Sequence, residues 1–259
     1  MGEPSGPAGP CCEGGPSDAT ALLAGAITYA LGACAQVAPG EMTRPTPCTD
    51  WDLAALLAHL AASMSDLESA IRTGHLDLDL SGPQGPDVPD VPGGPGPAGQ
   101  AAAGDLDGGD PLETVRDQAA NLLFSCYAHH GPGRFVLVGG LPLPAVIVTC
   151  TGAVEIAVHG WDVSAARGRG GPIPPALATR MLGLCPLLVA SRAGLFAPPV
   201  EVSPQASPGD QLIAYLGRSP AAPPSPFGQP LRTRPPQTPR ARGNCPSPST
   251  PLALDRVAG

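Results

Sequence analysis

The segment from Ala145 to Val163 constrains this chain more than any other. It is apolar almost all round, the pattern of a helix buried in the middle of a bundle and not of a one-sided surface helix, yet it carries Glu155 and His159. On a helix, two positions four apart lie one above the other on the same face. A buried carboxylate with no partner is costly and either neutralises or finds one. A metal ion is such a partner, and an imidazole and a carboxylate stacked this way reach it together. The run is broken by Thr149, Thr151 and Glu155, so it is expected to be too short and too polar to span a bilayer.

The remaining periodic stretches supply what surrounds this helix. A first helix is expected to start at Ser17 or Asp18, both good N-caps. It carries Leu23, Ile27, Ala30, Leu31 and Cys34 inward and ends at Pro39-Gly40. A second is expected with Thr49 as N-cap and Asp52 in the capping-box position. Its stripe is Leu53, Leu56, Leu57, Leu60, Met64 and Leu67, and it ends near Gly74. His59 lies at the margin of that stripe, about 110° from its centre. A third helix opens with Asp110 as cap, Pro111 in the first turn and Glu113 at the capping-box position. It buries Leu112, Val115, Ala119, Leu122 and Cys126 and stops at Gly131-Pro132-Gly133. Arg134 to Pro144 reads as a connector. Phe135 to Val138 has the composition of a short strand, without an evident partner. The fourth helix is expected over 144–167. A fifth runs from Ala176 to about Leu195 with Pro186 kinking or interrupting it, and a short last helix follows Ser207 and ends at Gly217. The expected fold class is all-α: a four-helix bundle with short accessory helices and no sheet, its ligands projected inward from facing helices.

Composition bounds the rest. Glycine and proline together make 70 of 259 residues and crowd into 1–16, 81–111 and 219–259. Such stretches cannot bury enough surface to order themselves. The expected organisation is a disordered 1–16, a bundle over 17–218 with a disordered insertion at 76–109, and a disordered proline-rich tail at 219–259. The net charge is −8 and all 14 basic residues are arginine. An acidic chain argues against a nucleic-acid surface; Arg232 to Arg242 is a local exception. Eight cysteines invite a disulfide reading. No CxxC occurs, however, and the first residues lack the basic and apolar regions of a secretory signal. The expectation is a cytoplasmic protein with mostly reduced, buried thiols and neither a nucleic-acid nor a membrane partner. The oligomeric state is not encoded in any readable pattern.

His59 with Glu155 and His159 would complete a set of two imidazoles and one carboxylate. Catalytic zinc sites commonly use three protein ligands and keep one position open. Spacing alone does not single this set out, because Glu and His four apart recur by chance and a lone helical histidine is usually a satisfied core or surface residue. Two motifs add to it. Thr46-Pro47-Cys48-Thr49-Asp50-Trp51-Asp52, running on to Leu56-Leu57-Ala58-His59-Leu60, resembles the opening motif of the mycothiol-dependent maleylpyruvate isomerase metal-binding domain family, an actinobacterial branch of the DinB-like four-helix bundles. Glu155-Ile156-Ala157-Val158-His159-Gly160-Trp161-Asp162-Val163 resembles that family's second motif. The stretch from Ala197-Pro198-Pro199-Val200 through Ser207-Pro208 to Leu216-Gly217-Arg218 is similar to the ending of its shorter, uncharacterised members.

The resemblance implies that His59, Glu155 and His159 bind a divalent metal, with zinc as the expected ion. It implies mycothiol as co-substrate, a small-molecule electrophile as the second partner, and a thiol-dependent transferase or isomerase as the activity. A non-catalytic zinc-binding or sensor module is the alternative. The isomerase carries an α/β domain after its bundle, where this chain offers one short helix and the proline-rich stretch. Asp162, three residues beyond His159, is placed either to orient an imidazole or to serve as an ordinary surface or capping carboxylate. Trp51 and Trp161 either wall the pocket or are plain core. Cys48 is either a buried structural thiol, a fourth ligand or a redox group, and Cys126 with His129 and His130 makes only a superficial second cluster.

Overall fold

The computed structural model describes residues 16–48, 51–76, 110–129, 131–168, 171–189 and 197–220. They form helices α1 (Pro16–Cys34), α2 (Leu53–Thr73), α3 (Pro111–His129), α4 (Ala145–Ala166), α5 (Pro175–Leu188) and α6 (Pro208–Tyr215). Three short strands, β1 (His75–Leu76), β2 (Phe135–Val138) and β3 (Leu141–Pro144), lie among them. The expected disorder of 1–16, 76–109 and 219–259 falls outside the described residues except at its edges, where Pro16 opens α1 and Leu76 belongs to β1.

Helix α4 is the axis of the bundle. From Val148 to Ser164 every residue except Glu155 is buried, and Glu155 is nearly so. The helix is long and apolar enough to cross a membrane, contrary to the sequence expectation, but 83% of its apolar window is covered within the fold. Helix α1 lies along α4, and α2 packs against both α3 and α4. The α1–α4 approach is close because position 160 has no side chain: a Cβ there would sit 2.8 Å from Ala30 Cα. The four-helix core with accessory α5 and α6 is the bundle that the apolar patterning predicts, and its architecture is DinB-like, as the resemblance implies.

Three local expectations are corrected. The N-cap of α2 is Asp52, whose carboxylate accepts from the Ala55 amide at 2.9 Å; Thr49, the expected cap, lies outside the described residues. The expected absence of a sheet fails, since β2 pairs in parallel with β1 and antiparallel with β3. The β2–β3 hairpin turns on Gly139 and Gly140, both at positive φ, the requirement of a tight two-residue hairpin loop. These strands are two to four residues long, too short for an alternating pattern to register. Helix α5 ends at Leu188, two residues after Pro186, and does not reach the expected Leu195 region as one described helix. Proline has no amide hydrogen for the preceding turn, so the helix finishes within a turn of it. The cap of α6 is as expected, with the Asp210 amide donating to Ser207 Oγ at 3.1 Å.

Candidate metal centre

The site is built where α2 and α4 face each other. His59 and Ser63 stand one turn apart on α2, and Glu155, His159 and Asp162 occupy successive turns of one face of α4. Glu155 Oε1 lies 3.4 Å from His59 Nε2 and accepts from Ser63 Oγ at 3.0 Å. The rings of His59 and His159 meet edge to face with centroids 4.9 Å apart. Trp51 lies against both at a tilt, its ring centroid 4.5 Å from that of His59 and 6.2 Å from that of His159. It is held in place by its own backbone: its amide donates to the Cys48 carbonyl and its carbonyl accepts from Thr46 Oγ1 at 2.9 Å.

The opposite side of His159 is fixed as well. Its Nδ1 lies 3.1 Å from Asp162 Oδ2. Arg218 donates from Nε to Asp162 Oδ1 at 3.1 Å and from Nη2 to Oδ2 at 2.9 Å. An ionised carboxylate only accepts, so the hydrogen between Asp162 and His159 belongs to Nδ1. That tautomer leaves His159 Nε2 as the lone-pair donor available to a metal.

Burial pushes the Glu155 carboxyl up, but hydrogen bonding and charge from His59, with His159 and Ser63 behind them, outweigh it and hold the group below its ordinary value. Burial likewise pushes Asp162 up, and Arg218 and His159 bring it below the usual carboxylate range. His159 is lowered by burial, against the pull of Asp162. Asp66, two turns past His59 on α2, is raised by burial and by the nearby Glu155 charge.

Two groups of side chains offer three donor atoms within 4.8 Å of one another: His59, Glu155 and His159, and Cys48, His159 and Asp162. They share His159, and two observations separate them. Glu155 Oε2 is buried with no hydrogen-bond partner among the described residues, an acceptor for which a cation would compensate. Both oxygens of Asp162 are already engaged by Arg218. The third member of the second group, Cys48, has its Sγ 3.6 Å from the Oδ2 of that same Asp162. The donor chemistry of the first group, two imidazoles and a carboxylate, fits a divalent ion of the zinc type.

The structure thus brings together the three ligand candidates read from the sequence. It resolves Asp162 as the partner of an imidazole, and Trp51 as a wall of the site. Cys34, Cys126, Cys150 and Cys185 are buried and form no disulfide, in keeping with the expectation of mostly reduced thiols. Cys126 and His129 join no metal-capable group among the described residues; they line a cavity of about 280 Å³ with Ile71 and Arg134 at the far end of α2. Sequence reasoning missed Ser63 and Arg218. Ser63 was marked by its spacing, four residues after His59 inside an apolar stripe. Arg218 carried no spacing signal, since its contact with Asp162 spans 56 residues.

Fold and site define a DinB-like helical bundle with a buried cluster able to chelate a divalent metal. Residues 23–164, more than half of the chain, match the model of the mycothiol maleylpyruvate isomerase N-terminal domain, and the chain belongs to that family. Two relatives from Mycobacterium tuberculosis, one from strain CDC 1551 / Oshkosh and one from strain H37Rv, are each 26% identical over 195 residues. These cover 71% of this chain and 89% of the relative, and both relatives are described as uncharacterized proteins. No solved structure matches the chain.

Proposed function

We propose that this protein holds one divalent metal, zinc, through His59, Glu155 and His159 and acts as a thiol-dependent transferase or isomerase with mycothiol as its thiol. The observation that carries this reading is the buried, unpartnered Glu155 Oε2 beside two histidines. Family membership supports the choice of thiol. When bound, the metal supplies a Lewis acid that lowers a thiol's pKa and keeps it as the nucleophilic thiolate. The chain's own residues do the positioning. Ser63 donates to Glu155 Oε1 and fixes that carboxylate. Asp162 holds His159 in the tautomer that presents Nε2. Trp51 covers the rings of both histidines and keeps water from that side.

A non-catalytic zinc or sensor module is the second reading. It requires a closed shell with a fourth protein ligand, for which Cys48 and Asp162 are the neighbours. The engagement of both Asp162 oxygens by Arg218 favours an open position, and with it the enzyme reading. The test is consumption of mycothiol with a fluorogenic electrophile by zinc-loaded protein and by the His59→Ala variant. Acceleration by the wild type alone supports the enzyme. A wild type that binds zinc and performs no better than the variant leaves the module.

A further inference from the structure

Arg218 reaches the site from outside the bundle. It follows α6, in a segment beyond residues 23–164, where the family match ends. The turn that delivers it is specific. Gly217 has φ +81°, and a Cβ on it would lie 2.5 Å from the Ala197 carbonyl oxygen, so only glycine fits both the conformation and the space. The Gly217 amide donates to Ala214 and the Arg218 amide to Ile213, each at 3.0 Å, which closes the end of α6. The side chain then turns inward: Arg218 is 6% exposed and Asp162 fully buried.

We infer that Arg218 is a positioning residue for the metal site, and that residues 197–218 are part of that site and not an appendage to it. The inference rests on the metal reading proposed above. Its logic is a relay. The guanidinium fork fixes both oxygens of Asp162 in one plane, as a paired fork and carboxylate do. Oriented in this way, Asp162 accepts from His159 Nδ1 at 3.1 Å and holds the ring with Nε2 free. The fork has a second consequence. It compensates the Asp162 charge, so the cluster around a metal keeps one uncompensated carboxylate, Glu155. It also occupies the oxygens that the competing Cys48–His159–Asp162 group would need. Arg218 therefore selects which of two overlapping donor sets takes the ion.

The test compares the full chain with Arg218→Lys, which keeps a charge beside Asp162 and so preserves the fold, but lacks the fork. Two quantities are read: zinc affinity against a competing chromophoric chelator, and the His159 ring tautomer in metal-free protein from its side-chain ¹⁵N shifts. The expected result is a single Nδ1–H tautomer in the wild type that becomes mixed in Arg218→Lys, with zinc affinity reduced about 10- to 100-fold, the range for loss of a partner that orients a ligand. Arg167→Gln, which removes the ion pair of Arg167 with Glu41, controls for general loosening and should leave both readings unchanged. Wild-type affinity or a wild-type tautomer in folded Arg218→Lys overturns the inference. Should the wild type bind no zinc, the metal reading fails, while the tautomer comparison still decides whether Arg218 orients His159.

Discussion

At the scale of single residues the site is a set of buried charges held by one another, and that has a sign in pH. Glu155, His159 and Asp162 are all shifted downward from ordinary values of 4.5, 6.5 and 3.8. The unfolded chain therefore takes up protons at higher pH than the folded one, and stability rises with pH. Each contribution is complete above the ordinary value and is lost as the pH falls through the lower folded value. Metal-free protein should thus lose melting temperature on acidification below about 6.5 as His159 is forced to charge, and lose more below the carboxylate values. Thermal melts from pH 8 to 4 check this, and a flat profile down to pH 5 contradicts it. His159→Gln should remove the upper limb alone. A second expectation concerns Glu155. Glu155→Gln keeps the shape and still accepts from Ser63, but removes a buried charge with one unpaired oxygen. The metal-free variant at pH 8 should melt lower than the wild type, because the folded site favours the ionised form that Gln lacks, and should also lose zinc binding, as isothermal titration would show. Zinc binding retained in the variant would mean that Glu155 serves the fold and not ligation.

At the scale of elements, helix contacts set the site's dimensions. Gly160 follows His159 directly, and α1 backbone fills the space its side chain would need. Gly160→Ala should force α1 and α4 apart at a cost of about 1–3 kcal/mol, and weaken zinc binding by moving His159 away from α2. Denaturant unfolding and a zinc titration measure the two effects; an unchanged midpoint would contradict the close α1–α4 contact. At the other wall, Asp52→Ala should cost about 1 kcal/mol through loss of the α2 cap. The elements also show what was legible beforehand. The four long helices are readable because each repeats an apolar stripe over three turns or more. His59, Glu155 and His159 are readable because one pair shares a helix face and the third ligand sits in a motif of its own. Of the strands only Phe135 to Val138 was readable, from its composition; its partners β1 and β3 are two and four residues long, and β1 lies across the 77–109 stretch, so neither leaves a periodic trace. The α2 cap was misplaced by three residues because Thr49 and Asp52 both satisfy cap chemistry, and only backbone geometry chooses between them. Arg218 was invisible as a site residue because nothing in sequence spacing reports a contact between α4 and the turn after α6.

At the scale of the molecule, one apolar helix is sheathed by three others and a C-terminal segment, and the polar cluster along its face joins α2, α4 and the turn after α6. Metal binding to such a cluster is linked to folding. A ligand at 1,000 times its Kd stabilises the folded state by about 4 kcal/mol, so zinc should raise the melting temperature of the wild type and leave that of His59→Ala unchanged. The most direct measurement is metal content per chain in protein purified without chelator, wild type beside His59→Ala. The account predicts close to one equivalent of zinc in the wild type and its loss in the variant. Equal metal in the two proteins, or none in the wild type even after zinc is added, would contradict it and leave His59, Glu155 and His159 as a packed polar cluster of a helical bundle.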